Sequence, residues 1–254
     1  MKLNILSKQR YLWFFCNSCL ALRRTTITLD LREGLVCLSC GLNSRQRAIL
    51  YAAQKTSRKK LFRKKNLRIV GVSDGAPISG AFKDRFGSIY TNFEYHTEPF
   101  LDITKVDDTL QSTTDIVICS EVLEHVQPPI ELAFHGLLKL LKPGGWLILS
   151  VPHRGSDYPH EEHFPVMTNS ELINEPIQKL RGIDLEGNQR EFNDLVFHGG
   201  AGSTLEYRLF SETSLRNYLE ESGFTKIQPQ NDKRLIGSIW EPWSRVWVAQ
   251  RPAH

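Results

Sequence analysis

Asp115-Ile-Val-Ile-Cys-Ser-Glu-Val-Leu-Glu-His-Val126, followed by Leu140-Leu-Lys-Pro-Gly-Gly-Trp-Leu-Ile-Leu-Ser-Val-Pro152, decides the fold of this chain. Residues 116–119 and 146–151 are apolar runs without polar alternation, the pattern of strands covered on both faces. Between them Ile130, Leu132, Leu137, Leu138, Leu140 and Leu141 recur at helical spacing. The connection therefore reads as a crossover helix, and its two strands as parallel neighbours. Pro143-Gly144-Gly145 closes the helix, because proline cannot continue the ladder and glycine supplies a turn. Ligands of open parallel sheets bind beyond the carboxyl ends of the strands. Ser120, Glu121, Glu124 and His125 fall at that edge.

In the order and spacing of these residues the chain resembles the class I S-adenosylmethionine-dependent methyltransferases whose fourth strand ends in a Glu-Val-Leu-Glu-His-like motif. The resemblance runs from Leu67 to the C-terminus and is strongest over residues 115–152. It implies a Rossmann-like fold: a mostly parallel seven-stranded sheet finished by an antiparallel edge hairpin. It also implies S-adenosylmethionine as cofactor, with Ser120 and Glu121 at its rim. Leu67-Arg-Ile-Val-Gly-Val72 takes the place of the first strand, and Ser73-Asp-Gly-Ala-Pro77 that of the cofactor loop. Where the family usually has an acidic residue and then a glycine-rich turn, only Gly71 and Gly75 remain. Ser73 stands at the first turn glycine, and Asp74 replaces the missing acid as partner for the cofactor's ammonium. A plain Asp-Gly tight turn is the other reading of that pair. Ser88-Ile-Tyr-Thr-Asn-Phe93 reads as the second strand, with Asn92 or Glu94 at the ribose hydroxyls; a carboxylate accepts from both. Phe100-Leu-Asp-Ile103 reads as the end of the third, with Asp102 and Ile103 framing the adenine. Solvent-facing loop acids are the alternative for these positions.

The chain has 254 residues, 41% of them apolar, enough for one domain of good core size and a small appendage. Cys16-Asn-Ser-Cys19 and Cys37-Leu-Ser-Cys40 are separated by seventeen residues, a spacing that closes a tetrahedral zinc site. Thr25-Thr-Ile-Thr-Leu-Asp-Leu31 alternates like a half-exposed strand, so residues 1–44 read as a zinc ribbon. Four sulfurs leave no open position, so this Zn2+ is expected to be structural. Disulfides in a secreted protein, or a redox pair, are the competing readings. No signal peptide or membrane-length apolar stretch is legible, which points to a cytoplasmic compartment with reduced thiols.

Residues 45–66 read as a basic linker helix, and no Asp or Glu occurs between Gly34 and Ser73. A solvated helix is one account, since the whole chain carries only +4. A footprint for nucleic acid or a phosphorylated glycan precursor is the other. Within the catalytic domain, residues 67–254, an excursion over about 153–209 reads as the substrate lid. His153 leaves the fifth strand as a candidate general base, and His125 is a second candidate. His160-Glu-Glu-His163 lacks the zincin spacing and reads as lid, and the glycines of Val196–Thr204 read as a hinge. Ser211 and Gly223 bound a helix, and residues 225–229 and 245–250 form the edge hairpin, with Trp240 and Trp243 over that end. The expected activity is methyl transfer to an O- or N-nucleophile of a small-molecule or glycan-like acceptor. A zinc-containing nucleic-acid methyltransferase, or a non-catalytic binding module of the same fold, are the alternatives.

Overall fold

The computed structural model describes residues 10–61, 67–164, 167–174, 178–184, 186–198, 204–238 and 245–253, with the side chains of 59–61, 168 and 198 left aside. A hairpin of β1 (Tyr11–Cys16) and β2 (Ala21–Thr26) precedes helix α1 (Ser44–Leu61). Then follow β3 (Ile69–Val72), α2 (Ala76–Phe86), β4 (Tyr90–Phe93), β5 (Thr114–Ser120), α3 (Glu131–Leu140) and β6 (Leu141–Ser150). The lid contributes β7 (His153–Arg154), β8 (Glu161–Glu162), β9 (Thr168–Ile173), β10 (Lys179–Ile183), β11 (Gln189–Phe192), β12 (Phe197–His198) and β13 (Thr204–Leu205). The chain returns through β14 (Arg208–Ser211), α4 (Glu212–Glu221), β15 (Thr225–Pro229) and β16 (Trp247–Gln250).

The main sheet has the order β15-β16-β6-β5-β3-β4. Strands β4, β3, β5 and β6 are parallel, and β16 and β15 add the antiparallel edge. Alternate side chains explain the unbroken apolar runs. Ile69, Ile116, Ile118 and Ile148 face α1 and α2, while Val70, Val117, Cys119, Leu147 and Leu149 face α3 and α4. Each strand is thus apolar on both sides because helices cover both. The crossover between β5 and β6 is the expected helix, α3. It approaches the preceding loop so closely that a Cβ on Gly136 would stand 1.7 Å from the Ile103 carbonyl oxygen, so only glycine fits. Pro143-Gly144-Gly145 sits in a register shift of β6 opposite Thr114 and Ile116, with Gly144 at φ +72°. Ser211 caps α4 through a reciprocal capping box with Ser214, and Gly223 at φ +93° follows its end.

Four expectations are corrected here. The sheet has six strands among the described residues; where a seventh was expected, only one parallel bridge joins Glu94 and Phe100. The second strand starts at Tyr90, because Gly87–Ile89 forms a 3-10 turn. In the N-terminal unit the second strand is Ala21–Thr26, paired across the first cysteine knuckle, and not residues 25–31. Finally, α1 is no linker. Ala48, Ile49, Leu50, Ala52 and Ala53 are buried against Ile69, Ile116 and Phe82, so apolar burial fixes the helix to the sheet. Residues 62–66 with the basic Arg63, Lys64 and Lys65, the glycine loop at 199–203, and Trp240 and Trp243 lie outside the described residues. Among the described residues no helix is long and apolar enough to cross a membrane.

Candidate active site

The carboxyl ends of β3 and β4 carry one hydrogen-bonded array. Asp74 follows β3 and is buried. Tyr90, Asn92 and Glu94 alternate along β4 and its exit, so period two places them on one face. The Tyr90 hydroxyl donates to Asp74 Oδ2 at 2.7 Å. Asn92 clamps the Asp74 backbone from both sides: Oδ1 accepts from its N–H at 3.0 Å and Nδ2 donates to its carbonyl at 3.1 Å. Nδ2 also donates to Glu94 Oε1 at 2.6 Å. Gly71 makes room for all of this, since a Cβ there would lie 2.2 Å from Asp74 Oδ2, 2.6 Å from the Tyr90 hydroxyl and 2.8 Å from Asn92 Oδ1. Ser73 turns the chain at φ +52°, and Gly75 caps α2 with open space in front of it. Among the described residues Asp74 Oδ1 accepts no hydrogen bond. Burial pushes its carboxyl up to about 7; the Tyr90 hydroxyl opposes that rise and the Glu94 charge adds to it.

The ends of β5 and β6 are closed by arginines from the N-terminal unit. Arg45 Nη1 donates to Ser120 Oγ, which lies 3.0 Å from Ser150 Oγ. Arg32 Nη2 donates to Glu121 Oε1 at 2.6 Å, and Ser150 Oγ donates to the same oxygen at 2.9 Å. Glu33 joins the two cations, accepting from Arg32 and Arg45 at 2.6 Å each. Burial alone would raise Glu121, yet Arg45 and Arg32 hold it down to about 2, so it stays ionised. Both Glu121 and Ser120 reach the expected strand edge, but they already hold internal partners there. Glu124 differs: it is fully buried and neither carboxylate oxygen accepts a hydrogen bond among the described residues.

Three sequence expectations change. His153 is a strut rather than a base. Its Nδ1 faces the Arg154 carbonyl at 3.1 Å, and its Nε2 accepts from the Arg245 N–H at 2.8 Å and from Trp247 Nε1 at 3.2 Å. Burial lowers it to about 4, so the ring is neutral with its lone pair spent on β16 and the segment before it. Ile103 is buried in the core cluster that includes α3. Asp102 accepts from Thr104 N and Oγ1 through one oxygen, closing its own turn. His125 reaches the lid instead, with Nδ1 2.7 Å from the Leu205 carbonyl and Nε2 3.7 Å from Glu124 Oε1. His160 and His163 pair with Glu162 and Glu206, which fits a lid. The sequence reading missed Tyr90 and Arg32, and it took Arg45 for part of a solvated face. The i, i+2, i+4 series Tyr90-Asn92-Glu94 was the available signal for Tyr90.

The four cysteines of the N-terminal unit form the one cluster among the described residues able to hold a metal, with all four sulfurs within 4.8 Å of one another. Cys16 and Cys40 sulfurs are 3.7 Å apart, and those of Cys19 and Cys37 3.8 Å. A tetrahedron with zinc–sulfur bonds of about 2.3 Å has edges of roughly 3.8 Å, and these two sulfur pairs match that edge. Burial pushes the Cys37 thiol up, but the N–H groups of Cys40 and Ser39 more than offset it and bring it to about 7. Arg47, fully buried, lies over the Phe14 ring at 4.3 Å and donates to the carbonyls of Leu35, Leu42, Ile236 and Gly237. Two residues apart on α1, Arg45 thus faces the strand ends and Arg47 the cysteine unit.

A methyltransferase-domain family model matches residues 36–228. The chain belongs to this family of S-adenosylmethionine-dependent enzymes. The match begins one residue before the second knuckle, earlier than Leu67, in keeping with the packing of α1 on the sheet. No curated protein matches the chain. Among solved structures it is similar to 1,6-didemethyltoxoflavin-N1-methyltransferase of Burkholderia thailandensis, at 16% identity over 82% of this chain and 80% of that one, with a TM-score of 0.46. A methyltransferase of Mesorhizobium loti is 17% identical over 80% of this chain and 100% of that one, with a TM-score of 0.45. An amino pentose methyltransferase of Micromonospora echinaspora is 17% identical over 83% and 92%, also at 0.45.

Proposed function

We propose that this methyltransferase carries a methyl group from S-adenosylmethionine to an O- or N-nucleophile of a small-molecule or glycan-like acceptor. The donor supplies an electrophilic sulfonium methyl. What supports its placement is the array at the ends of β3 and β4: a buried Asp74 with one unpartnered oxygen for an ammonium, and Glu94 two residues beyond Asn92 for vicinal hydroxyls. Gly71, Ser73 and Gly75 keep that approach clear of bulk. Methyl transfer needs positioning above all, and holding nucleophile and carbon in line contributes on the order of 7 kcal/mol or more.

The cysteine unit is assigned structural Zn2+, with binding energy on the order of 10 kcal/mol stabilising a segment that has almost no core of its own. Its role here is to hold Arg32 and Arg45 over the strand ends. A nucleic-acid acceptor is less favoured, because Arg45 and Arg47 of the basic run are buried and used internally. Calorimetry with S-adenosylhomocysteine tests the donor site: micromolar binding that Asp74→Ala abolishes supports it, and undetectable binding to the wild-type chain refutes it.

A further inference from the structure

Glu124 lies in the 3-10 turn Leu123–His125 just past the end of β5, fully buried, and neither carboxylate oxygen accepts a hydrogen bond from a side chain among the described residues. A buried, unmatched carboxylate costs several kcal/mol unless something donates to it. Among the described residues no side chain donates to it, and its own backbone N–H only partly offsets the burial that raises its carboxyl well above the usual range. The backbone above it is already used, since the Tyr207 N–H bonds the Glu124 carbonyl and not its side chain. Arg32 faces it but is spent on Glu33 and Glu121. Glu121 and Glu206 add like charge, Arg45 adds a distant opposite one, and His125 Nε2 is 3.7 Å away, beyond hydrogen-bond range. The position therefore favours a cation with several N–H groups over a hydroxyl with one.

We infer that Glu124 receives the acceptor's nucleophile and that this nucleophile is an amine, held as its ammonium; this rests on the donor site proposed above. The step balances as follows. The ammonium gives one proton to the Glu124 carboxylate, and the freed nitrogen lone pair forms the N–C bond. As that bond forms, the S–C bond breaks and its electron pair stays on sulfur, leaving a thioether and a methylated ammonium.

Sinefungin tests this without knowledge of the acceptor, because it carries an ammonium where the donor carries its methyl, whereas S-adenosylhomocysteine carries nothing there. Both are titrated calorimetrically into the wild-type chain and Glu124→Gln. The expected result is sinefungin binding at least tenfold tighter than S-adenosylhomocysteine to the wild type, and a ratio near one for E124Q with S-adenosylhomocysteine affinity preserved. Equal affinities in the wild type overturn the inference while leaving the donor site standing, and so does a preference that survives in E124Q. If neither ligand binds the wild type, the donor site fails and this inference with it. Should E124Q not fold, Glu124→Asp replaces it, with a reduced preference expected and an unchanged one counting against the inference.

Discussion

Gly71→Ala adds one methyl group at the point where β3 meets the donor-site array, and its consequence follows from three distances. The new Cβ would stand 2.2 Å from Asp74 Oδ2, 2.6 Å from the Tyr90 hydroxyl and 2.8 Å from Asn92 Oδ1. Two of these neighbours have little room to yield. Tyr90 is stacked on Phe82 with centroids 5.1 Å apart, and Asn92 is tied to both backbone groups of Asp74. Asp74 must therefore swing, breaking the Tyr90 bond and leaving its carboxyl in the wrong place. Overpacking of this kind costs about 1–3 kcal/mol, which in a chain of this size lowers Tm by about 2–12 °C. Loss of a charge-assisted bond to the donor, about 1.5–3 kcal/mol, weakens S-adenosylhomocysteine binding roughly tenfold to a hundredfold. Thermal melting and calorimetry read the two effects separately. A G71A protein that melts within about 1 °C of wild type and binds the ligand equally well would refute the array as the donor site.

Three further outcomes follow from the same geometry. Asp74 is raised to about 7 in the folded chain against about 3.9 when unfolded, so the folded state holds the extra proton between those values. Its contribution to stability is full below pH 4 and is lost as pH rises to 7, and Asp74→Asn removes that slope in pH-resolved melts; if donor ammonium ionises Asp74, S-adenosylhomocysteine binding below pH 7 releases a proton, seen as buffer-dependent calorimetric heat. Cys16→Ser, or removal of metal with a strong chelator, is expected to lower bound zinc below one equivalent, and with it donor affinity, because Arg32 and Arg45 no longer hold Glu121 and Ser120 in place at the strand ends; a metal-free chain with unaltered affinity contradicts the link. His153→Ala is expected to lower Tm by several degrees, because the Arg245 N–H and the Trp247 Nε1–H lose their shared acceptor, while leaving the shape of the pH–rate profile unchanged; loss of a titrating limb would restore His153 as a base.

The central layer of the fold was legible because burial on both faces writes itself as unbroken apolar runs, and because Pro143-Gly144-Gly145 marks the end of a crossover. The cysteine unit was legible from spacing, since two knuckles need no distant partner to be recognised. What failed was long-range. That Arg45 and Arg47 point inward depends on Glu33, Glu121 and the carbonyls of Ile236 and Gly237, none of which is near in sequence. His153 looked like a base because strand-end histidines have access to ligand, but Trp247 of β16 and the Arg245 N–H ahead of it claim its lone pair. Asn92, Glu94 and Asp74 were found by position, whereas the Tyr90 hydroxyl that ties them needed the β4 face to be seen whole.

The donor site is tested most directly by a crystal structure of the chain with S-adenosylhomocysteine. Ligand density is expected beyond the carboxyl ends of β3 and β4, with the ammonium on Asp74 and a ribose hydroxyl on Glu94. Density lodged elsewhere, with the Asp74-Tyr90-Asn92 array untouched, would contradict it.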